Sequence, residues 1–99
     1  MQTIPSVIDG ARVVCYTPID SRHHHTGYTR QIVDGALLGP SKGLAICQYD
    51  GEERFYLFGC DEHWDTLCDT LHETIEEAKQ QAEFEYAGSM HTWISMPLN

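Results

Sequence analysis

Two apolar-rich runs, residues 44–49 and 54–60, flank the dipeptide Asp50-Gly51, and this arrangement restricts the fold more than any other part of the chain. Asp-Gly between such runs signals a hairpin, because both central positions of a type I′ turn need positive φ. A two-residue turn pairs Ile46 with Phe55 and Leu44 with Leu57 on one face. It sets Cys47 against Arg54 and Ala45 against Tyr56 on the other. Apolar partners meet on the first face, so that face is expected to be buried and the second more exposed. An antiparallel sheet is the expected framework.

The remaining elements follow from local chemistry. Residues 12–17, rich in β-branched and aromatic side chains, read as a strand ended by Pro18. Residues 21–27 are polar and glycine-punctuated and read as a loop, and residues 36–38 as a short strand bracketed by Gly35 and Gly39-Pro40. Residues 64–71 admit two readings. As a helix, Trp64, Leu67, Cys68 and Leu71 continue into a stripe with Ile75, Ala78, Ala82 and Tyr86. As a strand, Leu67 and Leu71 share one face, and Trp64, Thr66, Cys68 and Thr70 the other. The threonines, aspartates and cysteine are poor helix formers and favour the strand. Thr74-Ile-Glu-Glu77 is then a capping box opening a helix over residues 74–87, with Gly88 as terminator. Ile75, Ala78, Ala82 and Tyr86 form its narrow buried stripe, and Trp93 and Ile94 are expected to fold back on the core. The expected fold is a single α+β domain over residues 1–99. It has an antiparallel sheet of about four to five strands with one main helix packed on one face.

Charge is distributed unevenly. Residues 50–86 hold twelve carboxylates against Arg54 and Lys79, a local net of −10, while residues 1–49 carry +1 and the whole chain −9. Such acidity repels nucleic acid and anionic membrane and attracts basic surfaces. The 41% apolar content is that of an ordinary globular protein, and no stretch approaches the length needed to span a bilayer. Met1-Gln-Thr-Ile-Pro lacks the features of a secretory signal, so a cytoplasmic address is expected, with Cys15, Cys47, Cys60 and Cys68 as reduced thiols.

Three blocks carry a resemblance. They are Phe55-Tyr-Leu-Phe-Gly-Cys-Asp-Glu-His-Trp64, Asp69-Thr-Leu-His-Glu-Thr-Ile-Glu-Glu-Ala78 and Gln81-Ala-Glu-Phe-Glu-Tyr-Ala-Gly88. Together they resemble a family of small bacterial proteins of unassigned function, with an aromatic strand, a Trp, a Thr-capped Glu-Glu-Ala helix and a late Trp (here Trp93). The junction over residues 69–78 is also similar to the end of HicB-type antitoxins, which neutralise a small basic ribonuclease. That likeness implies an inhibitory binding role and supplies no catalytic residue. The DNA-binding extension that many of those antitoxins carry is not evident here.

Chemical motifs are few. Cys60-x2-His63-x4-Cys68-x3-His72 has the residue types of a zinc site, but the central gap of four is short for a Cys2His2 finger. Small core hydrophobes and surface histidines are the competing reading of the same residues. His23-His24-His25, near Arg22, Tyr28 and Arg30, forms one mildly basic loop that suits adventitious metal binding. Nucleophile elbows, phosphate-cradling loops and calcium loops are absent, and no Cys–His pair has an orienting third member. No cofactor and no enzymatic activity are expected. The leading reading is an acidic binding protein of the immunity or antitoxin kind. Its partner surface would comprise Asp61, Glu62, Asp65, Asp69, Glu76, Glu77 and Glu83, with Phe84 as an apolar anchor, facing a basic protein rather than nucleic acid or membrane. The alternatives are a small metal-binding module, or a ligand-binding domain with a pocket near Tyr16, Tyr28 or Tyr49.

Overall fold

The computed structural model describes residues 1–27, 32–33, 36–37 and 40–97. The strands are β1 (Val7–Ile8), β2 (Ala11–Pro18), β3 (His24–His25), β4 (Ile32–Val33), β5 (Ala36–Leu37), β6 (Gly43–Gln48), β7 (Phe55–Cys60) and β8 (Thr66–His72). The helix α1 (Ile75–Glu85) follows, then β9 (Tyr86–Ala87), a 3-10 turn at Ser89–His91 and β10 (Ile94–Ser95). The main sheet runs β1-β2-β6-β7-β8, all neighbours antiparallel, and β10 also pairs with β2. β3 pairs with β9 and β4 with β5 outside it. The expected α+β architecture is therefore present. Tyr28, Arg30, Gly35 and Gly39, named above, and the last residue of the expected 36–38 strand lie outside the described residues.

β6 and β7 form the expected hairpin in a different register. The pairs are Ile46–Leu57, Ala45–Phe58 and Cys47–Tyr56, two residues removed from those of a two-residue turn. Gly51 is left-handed at φ +80°, but Asp50 is not, so a type I′ turn does not form. The loop instead spans residues 49–54, closed by Glu52 N–H on the Tyr49 carbonyl (3.1 Å) and by the Gln48 amide on the Glu52 carbonyl (2.8 Å). A slip of two preserves which face each side chain occupies, so Leu44, Ile46 and Leu57 still share the helix side. The other face is not exposed as expected. Ala45 and Cys47 are buried there too, because β6 is central and both faces of the sheet are covered.

One face packs on α1, where Cys15, Leu44, Ile46, Leu57, Ala78, Ala82 and Tyr86 cluster. The alanines carry little bulk, which lets the helix sit close to the sheet. On the opposite face, Ile8, Ala11, Val13, Ala45, Cys47, Phe58, Cys60 and Trp64 form a second cluster. A bulge between Val13 and Cys15 makes this division possible: Val13 joins the second cluster and Cys15 the first, although strict alternation would place them together.

Trp64 shows how the second face is closed. It adopts φ +65°, unusual for a bulky residue, in a turn tied by Asp61. The Asp61 carboxylate accepts from the N–H groups of His63 (2.8 Å) and Asp65 (3.0 Å), and the Asp61 N–H donates to the Asp65 carbonyl. The indole thereby lies against Gly43, where a Cβ would come within 2.6 Å of the ring, and its Nε1 donates to the Gln2 carbonyl at 2.8 Å.

Residues 66–72 are a strand, as composition favoured. Thr74 caps α1 by accepting from Glu77 N–H at 3.1 Å, and the Glu77 carboxylate reaches back to Glu73 N–H at 3.0 Å. The helix ends two residues earlier than expected. Tyr86 and Ala87 are extended and pair with His25 and His24, so part of the expected 21–27 loop is strand. Gly88 is left-handed at φ +98°, but it precedes the 3-10 turn rather than terminating α1. Trp93 packs against the helix-side cluster, whereas Ile94 is exposed. Among the described residues, no helix is long and apolar enough to cross a membrane.

Candidate functional site: the acidic edge of the sheet

β8 ends the sheet, and α1 packs against β7 and β8 with two chemically distinct flanks. Residues 77, 81 and 85 recur at helical spacing on the flank toward β8. Glu85 lies beside Cys68, Asp69 and Thr70, and accepts from the Gln81 amide at 2.9 Å. The other flank carries Glu76, Lys79 and Glu83 toward β2 and the 3-10 turn. Lys79 and Glu76 act electrostatically on Cys15 of β2, and Glu83 accepts from Gly88 and Met90.

The residues singled out from sequence therefore divide. Glu62, Asp65 and Asp69 are exposed along β8 and the turn before it, and Glu77 is exposed at the start of the β8-facing flank. Glu76 is exposed on the opposite flank. Asp61 and Glu83 also serve the fold. Asp61 ties the Trp64 turn through two backbone N–H groups. Each Glu83 oxygen accepts a backbone N–H at 2.9 Å, and these bonds hold its carboxyl below the ordinary carboxylate range. Both side chains help to hold the fold. Phe84 is 50% exposed on the outer face of α1.

Three further carboxylates belong with this edge. Glu52, Glu53 and Glu73 line one shallow depression with Gly51 and Arg54. The longer hairpin loop and the pairing of Phe55 with His72 bring them to the same end of the sheet. The sequence supplied their charge but not their proximity, which depends on the register. Acidic side chains thus run the length of β8, from Glu62 and Asp65 at its start to Glu73 at its end.

The other candidate constellations come apart. Cys60 packs with Phe58 and Trp64 on one face of the sheet, whereas Cys68 meets Ser41 and Gly59 on the helix face. His63 is exposed in the turn, and His72 Nε2 hydrogen-bonds Thr70 Oγ1 at 2.7 Å. These four side chains do not converge, and among the described residues no cluster of three or more possible metal ligands forms. Burial pushes the Cys15 thiol up to about 11 and the Cys47 and Cys60 thiols up to about 12, which disfavours thiolate chemistry near neutrality. The histidine run is also divided. The His23 side chain is buried, with Nδ1 accepting from Asp20 N–H (3.0 Å) and Nε2 bonded to Thr92 Oγ1 (2.8 Å). His25 stacks on Tyr86 at 5.0 Å.

A groove of about 770 Å³ opens where β1 and β10 leave a gap beside β2. Its lining includes Val7, Arg12, Val13, Asp50 and Met96, with neither Tyr16 nor Tyr49 among them. Comparison with known proteins adds no relative: no family model matches the chain, and no curated protein or solved structure matches it.

Proposed function

We propose that this chain is a non-enzymatic acidic binding protein, of the immunity or antitoxin kind, whose carboxylate edge docks on a basic protein. The observation that carries the reading concerns neutralisation. Among the described residues, Arg22 pairs with Asp20, and the imidazoles of His23 and His63 lie 3.5 and 3.6 Å from the carboxylates of Asp20 and Glu62. No Lys or Arg there pairs with any of the twelve carboxylates of residues 50–86. Gathered negative charge left in this state repels itself, and a cationic surface relieves the repulsion while being steered toward it. On a basic nuclease, the carboxylates would stand where substrate phosphates stand.

The test uses exposed residues that do not hold the fold. A Glu62→Lys, Asp65→Lys, Asp69→Lys, Glu73→Lys variant is compared with the wild type in affinity capture from the native host at low and high salt. The wild type is expected to retain a basic protein at low salt and release it at high salt. The variant should retain none, with an unchanged circular dichroism spectrum. Capture by the variant equal to that by the wild type, or no basic protein retained by either, overturns the reading.

A further inference from the structure

The backbone of β8 says what shape of partner the acidic edge accepts. All Cα partners of β8 lie in β7, and among the described residues nothing pairs with its outer edge. Beyond the irregularity opposite Gly59 and Cys60, its bare edge over residues 68–72 presents alternate N–H and C=O groups at the spacing an added strand uses. The side chains narrow what can add. Asp69 and Leu71 share the face away from α1, opposite Phe58 and Tyr56 of β7, and both are exposed, Leu71 at 43%. Leu71 and half-buried Tyr56 make an apolar strip beside the Asp69 carboxylate. On the helix side of the same edge stands Glu85, with Glu77 about two helical turns before it.

A second copy of this chain is a poor occupant. Antiparallel self-pairing centred on Asp69 sets Asp69 against its own copy and Asp65 against Glu73 on both sides of the two-fold axis. Like charges directly opposite each other destabilise a strand pair. A basic segment turns each of these repulsions into an attraction.

The geometry points to the outer edge of β8 as the docking site for an extended, basic segment of the partner, added to the sheet as a further strand. Lys or Arg side chains of that segment lie over Asp65 and Asp69, and an apolar one over Leu71. The inference rests on the acidic-binder reading and adds to it the backbone pairing.

A blocked eight-residue peptide, Thr-Val-Thr-Lys-Thr-Val-Thr-Lys, whose Val and Lys alternate along one face, is the probe, with a second peptide of the same sequence N-methylated at every backbone amide. Both carry the same side chains and charge, but only the first can pair as a strand. Binding is followed by amide exchange and NMR shifts of the protein. The unmodified peptide is expected to slow alternate amides within Thr66–His72 by on the order of tenfold or more, and the N-methylated peptide to leave them unchanged. Asp69→Lys, Leu71→Lys should abolish that protection. Equal binding of the two peptides, or protection confined to another part of the protein, overturns strand addition and leaves the acidic-binder reading standing. Binding of neither peptide overturns both.

Discussion

Along the outer edge of β2, the short strands β1 and β10 lie end to end and take up the backbone of Ala11, Arg12, Cys15 and Tyr16. Further bonds continue the cover between them, from Val13 N–H to the Ser6 carbonyl (2.9 Å) and from Met96 N–H to the Val14 carbonyl (3.0 Å). Nothing described does the same for β8, whose bare edge is flanked by Glu62, Asp65, Asp69 and Glu73. Carboxylates are used in two ways. Asp61 and Glu83 each accept two backbone N–H groups and organise a turn, while those along β8 meet solvent. Exposed like charge on an edge strand suppresses self-association. That bias against like-charged partners is also a bias toward basic ones.

The covered side should be the more sensitive to mutation. Trp64→Ala removes a 3%-exposed indole, its edge-on contact with Tyr16 and the donor to the Gln2 carbonyl, and should cost about 3–5 kcal/mol in chemical denaturation. Gly43→Ala drives a Cβ against the same ring and should cost roughly 1–3 kcal/mol. The loss should shrink in a Trp64→Phe background, because the two sites share one contact.

Glu83→Gln should cost about 1–2 kcal/mol at neutral pH, since a charged acceptor of two backbone N–H groups becomes neutral. The folded-state carboxyl is held below its ordinary value, so its contribution is present above the ordinary glutamate range and disappears as pH falls through the folded value. Melting curves from neutral to acid pH should therefore show a shallower acid-side decline for the variant. The open edge should show the smallest effect. Asp69→Lys with Leu71→Lys should shift stability by no more than about 0.5 kcal/mol each, while removing capture of a basic partner. A large loss of stability there would show that β8 is not a free edge.

Much of the fold was legible because local signals agreed with it. Thr74 and Glu77 announce the helix start, and the poor helix formers of residues 66–70 announce a strand. The hairpin faces were legible, but the register was not. Even slips leave the apolar pattern intact, and the choice was made by contacts far away in sequence. Tyr49 donates from its hydroxyl to the Asp9 carbonyl and sits edge-on to Tyr56 at 5.3 Å. The burial of Ala45 and Cys47 was hidden for a related reason, since their cover comes from the chain's two ends and from a Trp in a left-handed turn. For the acidic surface, sequence gave the charge of each carboxylate but not its flank. Glu83 stands six residues from Glu77, yet the two lie on opposite sides of α1. Only the fold shows that one is tied to Gly88 and Met90.

Amide exchange in the free protein tests most directly whether one sheet edge is sealed and the other open. Amides of β2 should be protected on both sides of the strand, while alternate amides of Thr66–His72 exchange at rates close to those of unprotected backbone. Continuous protection along β8 in the free protein would contradict the account, because its docking edge would already be covered.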